Sequence, residues 1–261
     1  LALPFLPTAL VVIRWVFFTE AGGIARGTLV TNNGRLVVNL GGTARGAILT
    51  AFGDAVVSGG GTISGAVISG SGSAWISGTA VSTTLAGGHQ TIYSGGAANG
   101  TQLQSGGYEH ISSGGSASGV VVSAAAAEYV SLGGILSGAT LSGGDIVVSS
   151  GGIVSGTIAF AGGATGSGNL VLSQSVAFTA GISGLTNAAQ IIFLRDINYG
   201  TGLVVSNYAG NVLTLGDSPT HTATLNISGA YTGASFHVAS AWDGNGGTML
   251  WDPPLDGGAT L

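Results

Sequence analysis

Apolar and small residues recur along the first two thirds of the chain with a step of 18 or 19 residues. Within each step the sequence reads G-G-x-x-x-G-[TAV]-x-[VIL], then a glycine-rich corner, then x-x-[VI]-x-S, as the segment "GGYEHISSGGSASGVVVSAAAAEYVSLGG" illustrates. The pattern predicts short strands separated by tight turns, for which glycine supplies the backbone freedom. The steps begin at Gly22, Gly41, Gly59, Gly78, Gly95, Gly114, Gly133 and Gly151.

Three positions of this unit are of one residue type in about eight successive units: two are apolar and one is small. The first apolar position is occupied by Val30, Leu49, Ile68, Leu85, Leu103, Val122, Leu141 and Ala159. The second is occupied by Val38, Val56, Trp75, Ile92, Ile111, Val130 and Val148. A small-residue position, two before the first, is occupied by Thr28, Ala47, Ala66, Thr83, Thr101, Val120, Ala139 and Thr157.

Columns kept in register indicate a stacked solenoid. Strands this short cannot bury a core alone, so their apolar side chains and backbone hydrogen bonds must be satisfied by the units above and below. We therefore predict an all-β fold, a β-solenoid (β-helix) of about eight rungs, with a β-rich C-terminal module that continues or caps it. Val122 should stack between Leu103 and Leu141, and Ile111 between Ile92 and Val130.

Composition supports an ordered chain and excludes several kinds of site. Of the 261 residues, 50 are glycine and only 6% are charged, but 45% are hydrophobic, which disordered chains are not. A solenoid tolerates little charge, because like residues stack about 4.8 Å apart in successive rungs. There is no cysteine for a disulfide or a thiolate metal site, and all five basic residues are arginine. With no basic cluster, we expect no nucleic-acid partner.

The units resemble the repeats of bacterial autotransporter adhesin passengers, including the diffuse-adherence and biofilm-associated members. "GGAANGTQLQSGGYEHISSGG" and "GGILSGATLSGGDIVVSSGG" are the nearest copies, and the resemblance covers about residues 22–163. It implies a secreted β-helical passenger that acts in adhesion and self-association, without catalysis or a cofactor.

From about residue 166 the glycine period stops and longer alternating strands such as "QIIFLRD" and "TATLNISG" follow. Residues 166–261 are therefore predicted to form the β-rich continuation or cap, after a repeat region at 22–165. Their end, "FHVASAWDGNGGTMLWDPP", resembles the C-terminal modules of large secreted proteobacterial proteins. The resemblance implies export of the chain to the cell surface or the medium.

Residues 1–21 form an unusually apolar segment, "LALPFLPTALVVIRWVFFTEA". Two prolines and Arg14 interrupt it, and its uncharged run is shorter than a bilayer span requires. We expect it to cap the first rung, or to dock on a neighbouring subunit and bury Val12, Trp15, Phe17 and Phe18 in a head-to-tail fibre; a retained membrane segment is the third alternative.

Few residues are candidates for chemistry. Glu109 and Glu128 occupy equivalent positions of consecutive units and either form a solvated acidic edge, with Asp145 nearby, or share a cation. "DGNGG" at Asp243 is expected to be a turn, His110 a surface residue, and the four histidines to be dispersed, so no catalytic or metal residue is predicted.

Three classes of function fit these features. The first is an extracellular structural or adhesive protein that associates with itself and binds cell surfaces or polysaccharide. The second is a β-helical polysaccharide-active enzyme. Such enzymes collect acidic and basic side chains in one groove, and the repeats contain no arginine or lysine between Arg45 and Gly168, which argues against this class. The third is a surface-binding solenoid of the ice-binding type. That function needs threonine ladders that point outward, whereas the threonines here are predicted to lie in the inward column of small residues. The first class is favoured.

Overall fold

The computed structural model describes residues 11–13, 16–19, 21–161, 166–200, 202–205, 208–232, 235–242 and 246–252. Over these ranges the chain forms β-strands, turns and a short 3-10 helix at Ser175–Ala177. The strands stack in parallel into a β-solenoid of about nine turns. The predicted all-β solenoid is therefore confirmed.

Most turns contribute three short strands, which stack into three columns. The first column contains β3 (Ile24–Arg26), β6 (Thr43–Arg45), β9 (Thr62–Ser64), β12 (Thr79–Val81), β15 (Ala97–Asn99) and the first halves of β18 (Ser116–Ser123), β20 (Ile135–Ser142) and β22 (Ile153–Phe160). The second contains β1 (Val11–Ile13), β4 (Thr28–Val30), β7 (Ile48–Leu49), β10 (Val67–Ser69), β13 (Thr84–Ala86), β16 (Gln102–Gln104), the second halves of β18, β20 and β22, and β24 (Gly181–Ser183). The third contains β2 (Val16–Thr19), β5 (Arg35–Val38), β8 (Asp54–Val57), β11 (Ser73–Ile76), β14 (His89–Ile92), β17 (Tyr108–Ile111), β19 (Ala127–Val130), β21 (Asp145–Val148), β23 (Gly168–Leu172) and β25 (Gln190–Leu194).

The corner between the first and second columns requires a left-handed backbone. Gly65, between β9 and β10, has φ +59°, and its N–H donates to the carbonyl oxygen of Val81 in the next rung at 2.9 Å. One rung later Ser82 adopts φ +52° at the same corner, with its N–H donating to the carbonyl oxygen of Asn99. Glycine suits these corners because it adopts this conformation without steric cost.

Both predicted stacks are present. Val122 pairs with Leu103 and Leu141, and Ile111 pairs with Ile92 and Val130, with all of these side chains buried. The small column also faces inward from Thr28 to Ala139. A further inward column was not predicted, because it consists mainly of alanine: Ala25, Ala44, Ile63, Ala80, Ala98, Ala117, Leu136 and Val154.

The predicted second apolar column is wrong by one residue in two rungs. Val57 and Ile76, not Val56 and Trp75, align with Ile92 and are buried. The left-handed turn after β8 is at Gly60 rather than Gly59, and the turn after β11 is shorter, so only 16 residues separate Ile76 from its partner Ile92. Trp75 consequently faces outward and is only half-buried.

The first apolar column also slips at its end. The register shifts within β20 and β22, so Leu141 pairs with Phe160 and not with Ala159. The extra residue places Ile158 opposite Ala139 and leaves Thr157, predicted to be inward, exposed. A β-bulge of this kind adds one unpaired residue to one strand, so the pairing beyond it is shifted by one residue.

Beyond β25 most strand pairings are antiparallel, and the strands that form them cover the C-terminal end of the solenoid. β27 (Val212–Ser218) and β28 (His221–Ser228) form a hairpin, of which β28 pairs in parallel with β24 and β27 pairs with β26 (Val204–Val205). β30 (Thr248–Trp251) pairs with β25 and with β29 (His237–Ser240). These pairings satisfy backbone groups that the last parallel strands would otherwise expose.

Candidate functional site

The outer surface of the third column carries a line of aromatic side chains. Because side chains alternate along a strand, Tyr108 and His110 face outward while Glu109 and Ile111 face inward. His89 stacks on Tyr108 with ring centroids 5.1 Å apart and an interplanar angle of 4°, and Tyr129 meets Tyr108 edge-on at 6.3 Å. Stacking in register therefore produces an aromatic face, defined here by Trp75, His89, Tyr108, His110 and Tyr129.

At the N-terminal end of the aromatic face the surface forms an open depression of about 550 Å³. We call this the Trp75 depression; it is lined by Asn33, Phe52, Asp54, Ser71, Ser73, Trp75 and His89. It combines two aromatic side chains with a carboxylate, an amide, hydroxyls and an imidazole. Such a mixture of apolar surface and a few polar groups is typical of small-molecule sites.

Polar contacts hold the floor of the Trp75 depression. The guanidinium of Arg35 lies 5.6 Å from the centroid of the Trp75 ring and donates to Asp54 at 3.3 Å. Ser73 Oγ and His89 Nδ1 lie 3.4 Å apart. Partial burial lowers the pKa of His89, opposed by the negative charge of Asp54, so the imidazole is neutral near pH 7. The charged groups of the depression therefore balance each other.

Phe52 stands at the rim of the depression in a strained turn. Its backbone has φ +63°, and 63% of the residue is exposed. A left-handed backbone is unusual for a bulky residue, and Gly106 occupies the corresponding turn position before β17 with φ +75°. The same turn position is also left-handed at Asn33 and Ala125, so the conformation belongs to the turn, and Phe52 is a bulky residue placed in it.

Glu109 and Glu128 are not a solvated acidic edge; they lie inside the solenoid and both are fully buried. They pair in register and continue a column in which Gln90 precedes Glu109. Glu109 Oε2 accepts hydrogen bonds from Gln90 Nε2 at 2.5 Å and from Thr101 Oγ1 at 3.0 Å. Glu128 accepts no hydrogen bond from an amide or hydroxyl group, and the hydrogen bond it shares with Glu109 requires that one of the two carboxyl groups be protonated. Asp145 is separate from this pair, because it faces outward and accepts from Asn169.

The surroundings of the two carboxyl groups favour their neutral forms. Burial raises the pKa of Glu109 to about 7, although the hydrogen bonds from Thr101 and Gln90 favour its charged form. Burial and the neighbouring charge of Glu109 raise the pKa of Glu128 well above its usual value. Two carboxylates cannot both ionise in a dry core without strong repulsion, so the pair carries at most one charge near neutral pH.

The residues predicted to form an assembly contact belong to the first turn of the solenoid. Val12 lies in β1 and pairs with Leu29, while Phe17 and Phe18 lie in β2 and pair with Leu36 and Val37. Phe18 is 58% exposed. Trp15 is outside the described residues. Whether this segment contacts a second subunit stays a prediction.

The other candidates do not converge on a site. His110 is half-buried, faces outward and lies 2.6 Å from Ser131 Oγ, and His221 Nδ1 lies within hydrogen-bond distance of Asp217 Oδ1, at 2.7 Å. Asp243 lies outside the described residues. Within the part of the chain that the structure describes, no three side chains of histidine, cysteine, aspartate or glutamate are grouped to hold a metal, and no helix is long and apolar enough to span a membrane.

The solved structures that are similar to the chain include one that resembles it in both fold and sequence. It is a fragment of TibA, residues 55–350, in a form hyper-glycosylated by TibC, with 30% identity and a TM-score of 0.53. The match covers 64% of this chain and 64% of the fragment, which is less than two thirds of either. TibA is an autotransporter adhesin passenger, so the match is consistent with the resemblance of the repeats to such passengers. Neither a protein-family model nor a curated protein matches this sequence.

Sequence reasoning missed the Trp75 depression because Trp75 was assigned to the core. The signal was present: Trp75 lies one residue before Ile76, and a period of two places only one of these neighbours inside. The burial of Glu109 and Glu128 had the same kind of signal, because each lies two residues before a predicted core residue, Ile111 or Val130; the prediction of a solvated edge gave more weight to the rarity of buried charged residues.

Proposed function

We propose that this chain is an extracellular adhesive solenoid, secreted or held at the cell surface, that binds other surfaces and associates with itself. The similarity to the TibA adhesin passenger carries this proposal, because it combines the fold with 30% sequence identity. The continuous outward aromatic face adds a feature that a purely structural rod does not need. Exposed aromatic groups in a row are typical of surfaces that contact a partner.

The proposal includes no catalysis. Glycoside-cleaving sites generally need two carboxyl groups that reach the substrate. Glu109 and Glu128 are the paired carboxyl groups of the repeats, and both are inaccessible inside the coil. Asp54, on the surface, is engaged by Arg35.

Surface display on a non-adherent bacterium tests adhesion. Cells that display the chain should bind to epithelial cells or to a polysaccharide-coated surface more than cells that display an equal amount of Val122→Asp, in which a buried position carries a charge. Equal binding by the two cell populations would show that a folded solenoid is not the adhesive element, and the proposal would be wrong.

Self-association is the finer part of the proposal. Phe18 is exposed at the first turn, and the antiparallel strands make the other end of the solenoid different, which favours head-to-tail contacts that extend into a fibre. Sedimentation of the purified chain over a range of concentrations should show assemblies that Phe18→Ser reduces. Leu132→Ser, at a leucine that is even more exposed and lies in a turn far along the solenoid, is the control and should leave assembly unchanged. A chain that remains monomeric at high concentration would contradict self-association.

A further inference from the structure

The Trp75 depression is an open surface region that combines aromatic rings with hydrogen-bonding groups, the two kinds of group that a saccharide contacts. Sugar rings present apolar C–H faces that pack on aromatic rings, and rims of hydroxyl groups that exchange hydrogen bonds with amides, carboxylates and imidazoles. Trp75 and Phe52 supply aromatic surface, while Asn33, Asp54 and His89 supply the polar partners. Aromatic groups with polar neighbours are suited to ligands that are apolar on one side and wet on the other.

The Trp75 ring is held in place before any ligand binds. Arg35 packs at 5.6 Å from the ring centroid and is itself fixed by its ion pair with Asp54. His89 is fixed between its contact with Ser73 and its stack on Tyr108. Groups held in this way lose little conformational entropy on binding, which favours recognition by a shallow site.

The charges of the depression favour a neutral ligand. Arg35 is the cation beside the site, and it lies against Asp54, so no unpaired positive charge faces an acidic sugar or a phosphate. The chain as a whole carries a net charge of −5, which repels anions further. Asp54 is in turn engaged by Arg35, which weakens its attraction for a cation.

Phe52 adds a second exposed aromatic ring to the depression. Its ring is exposed rather than packed in the core. Its position at the rim, with Trp75 among the lining residues, places a second aromatic surface beside the first.

We propose that the Trp75 depression binds a neutral oligosaccharide, with sugar rings packed on Trp75 and Phe52 and their hydroxyl groups bonded to Asp54, Asn33 and His89. This inference deepens the adhesive function and rests on it, because the saccharide would belong to the surface that the chain contacts. The aromatic face continues from the depression through Tyr108 and Tyr129, so a longer saccharide chain has further rings along which to extend.

The test uses the purified full chain and a printed panel of neutral and acidic oligosaccharides, followed by calorimetric titration of any neutral saccharide that binds. The chain should bind at least one neutral saccharide, and Trp75→Ala should weaken that binding by at least about tenfold, as expected for a central aromatic contact. Phe52→Ala should weaken it less. Trp242→Ala removes a tryptophan that is 67% exposed elsewhere and should leave binding unchanged.

Thermal unfolding of each variant verifies that the solenoid is intact, and Phe52→Gly provides a variant that relieves the backbone strain while removing the ring. The inference is wrong if the folded chain binds no neutral saccharide, if it binds acidic saccharides alone, or if Trp75→Ala and Phe52→Ala bind as well as the original chain. Cells displaying Trp75→Ala separate the two proposals. Undiminished adhesion without saccharide binding would refute the saccharide site as the adhesive contact while leaving the adhesive function intact.

Discussion

Glu109 and Glu128 occupy the same position of consecutive turns, pair in register and are both fully buried in a core that is otherwise largely apolar. Burial is the largest influence on both carboxyl groups; for Glu109 the hydrogen bonds from Thr101 and Gln90 come next, and for Glu128 the neighbouring charge of Glu109 does. This arrangement makes the solenoid less stable as the pH rises, whereas a carboxylate that is paired with a cation makes a protein less stable as the pH falls.

The unfolding free energy should fall as the pH rises. The pKa of Glu109 is raised to about 7 in the folded chain, whereas an unfolded glutamate titrates near pH 4.3, so its stabilising effect is complete below about pH 4.3 and is lost as the pH rises toward 7. The loss is on the order of 3 kcal/mol over this window. Denaturant unfolding between pH 4 and pH 9 measures it, and constant or increasing stability over that range would contradict the buried pair.

Replacing Glu128 by glutamine should stabilise the solenoid at pH 8. The neutral amide has nearly the same shape as the protonated carboxyl group. Glutamine has no ionised form, so the cost of burying an ionisable group, which raises the pKa of Glu128, disappears. The dependence of stability on pH should also become shallower. Asp145→Asn is the control, because Asp145 faces outward and the amide oxygen of the new asparagine can still accept the hydrogen bond from Asn169. The pH dependence of the stability of this variant should match that of the original chain.

The inner columns should be far less tolerant of charge than the outer positions. Val122→Asp places a carboxylate in a fully buried site and should cost about 4 kcal/mol or more. Gln104→Asp, at an exposed position of β16, should change stability by less than about 0.5 kcal/mol. Thermal or denaturant unfolding of both variants checks this, and equal losses would mean that the inward and outward faces are assigned the wrong way round.

Glycines differ in whether the backbone conformation or the available space requires them. At Gly65, with φ +59° and no atom within 4 Å of an added Cβ, alanine should cost about 1 kcal/mol through backbone strain alone. At Gly107 an added Cβ would lie 2.2 Å from the carbonyl oxygen of Leu85 in the previous turn, so alanine should cost at least about twice as much. Similar melting temperatures for the two variants would refute this distinction.

The sequence predicted the stack through Leu103, Val122 and Leu141 because apolar residues recur there at a constant step. It misplaced Trp75 because turn lengths vary: the consecutive glycines at 59–61 leave the start of the turn ambiguous, and no periodic argument reveals a turn that is shorter by a few residues. It missed the inner column of Ala25 and Ala44 because alanine is common on both faces of a strand.

The candidate site was harder to predict than the fold. The Trp75 depression combines Asn33, Phe52, Trp75 and His89 from successive turns, so it depends on the register of each turn with the next. An error of one residue at β11 turns Trp75 into a core residue and removes the site. The paired glutamates were recognised as a pair from their equivalent positions, and their spacing of two residues from Ile111 and Val130 already places them on the inner face; the rarity of buried charge led to the wrong prediction of a solvated edge.

The central claim is that the folded solenoid is itself adhesive. Beads coated with the purified chain, held under flow against an epithelial or polysaccharide-coated surface, test this most directly when compared with beads carrying the same amount of Val122→Asp. The account predicts that the original chain retains beads at shear rates that remove those carrying the variant. Equal retention of the two kinds of bead, or no retention of either, would contradict it.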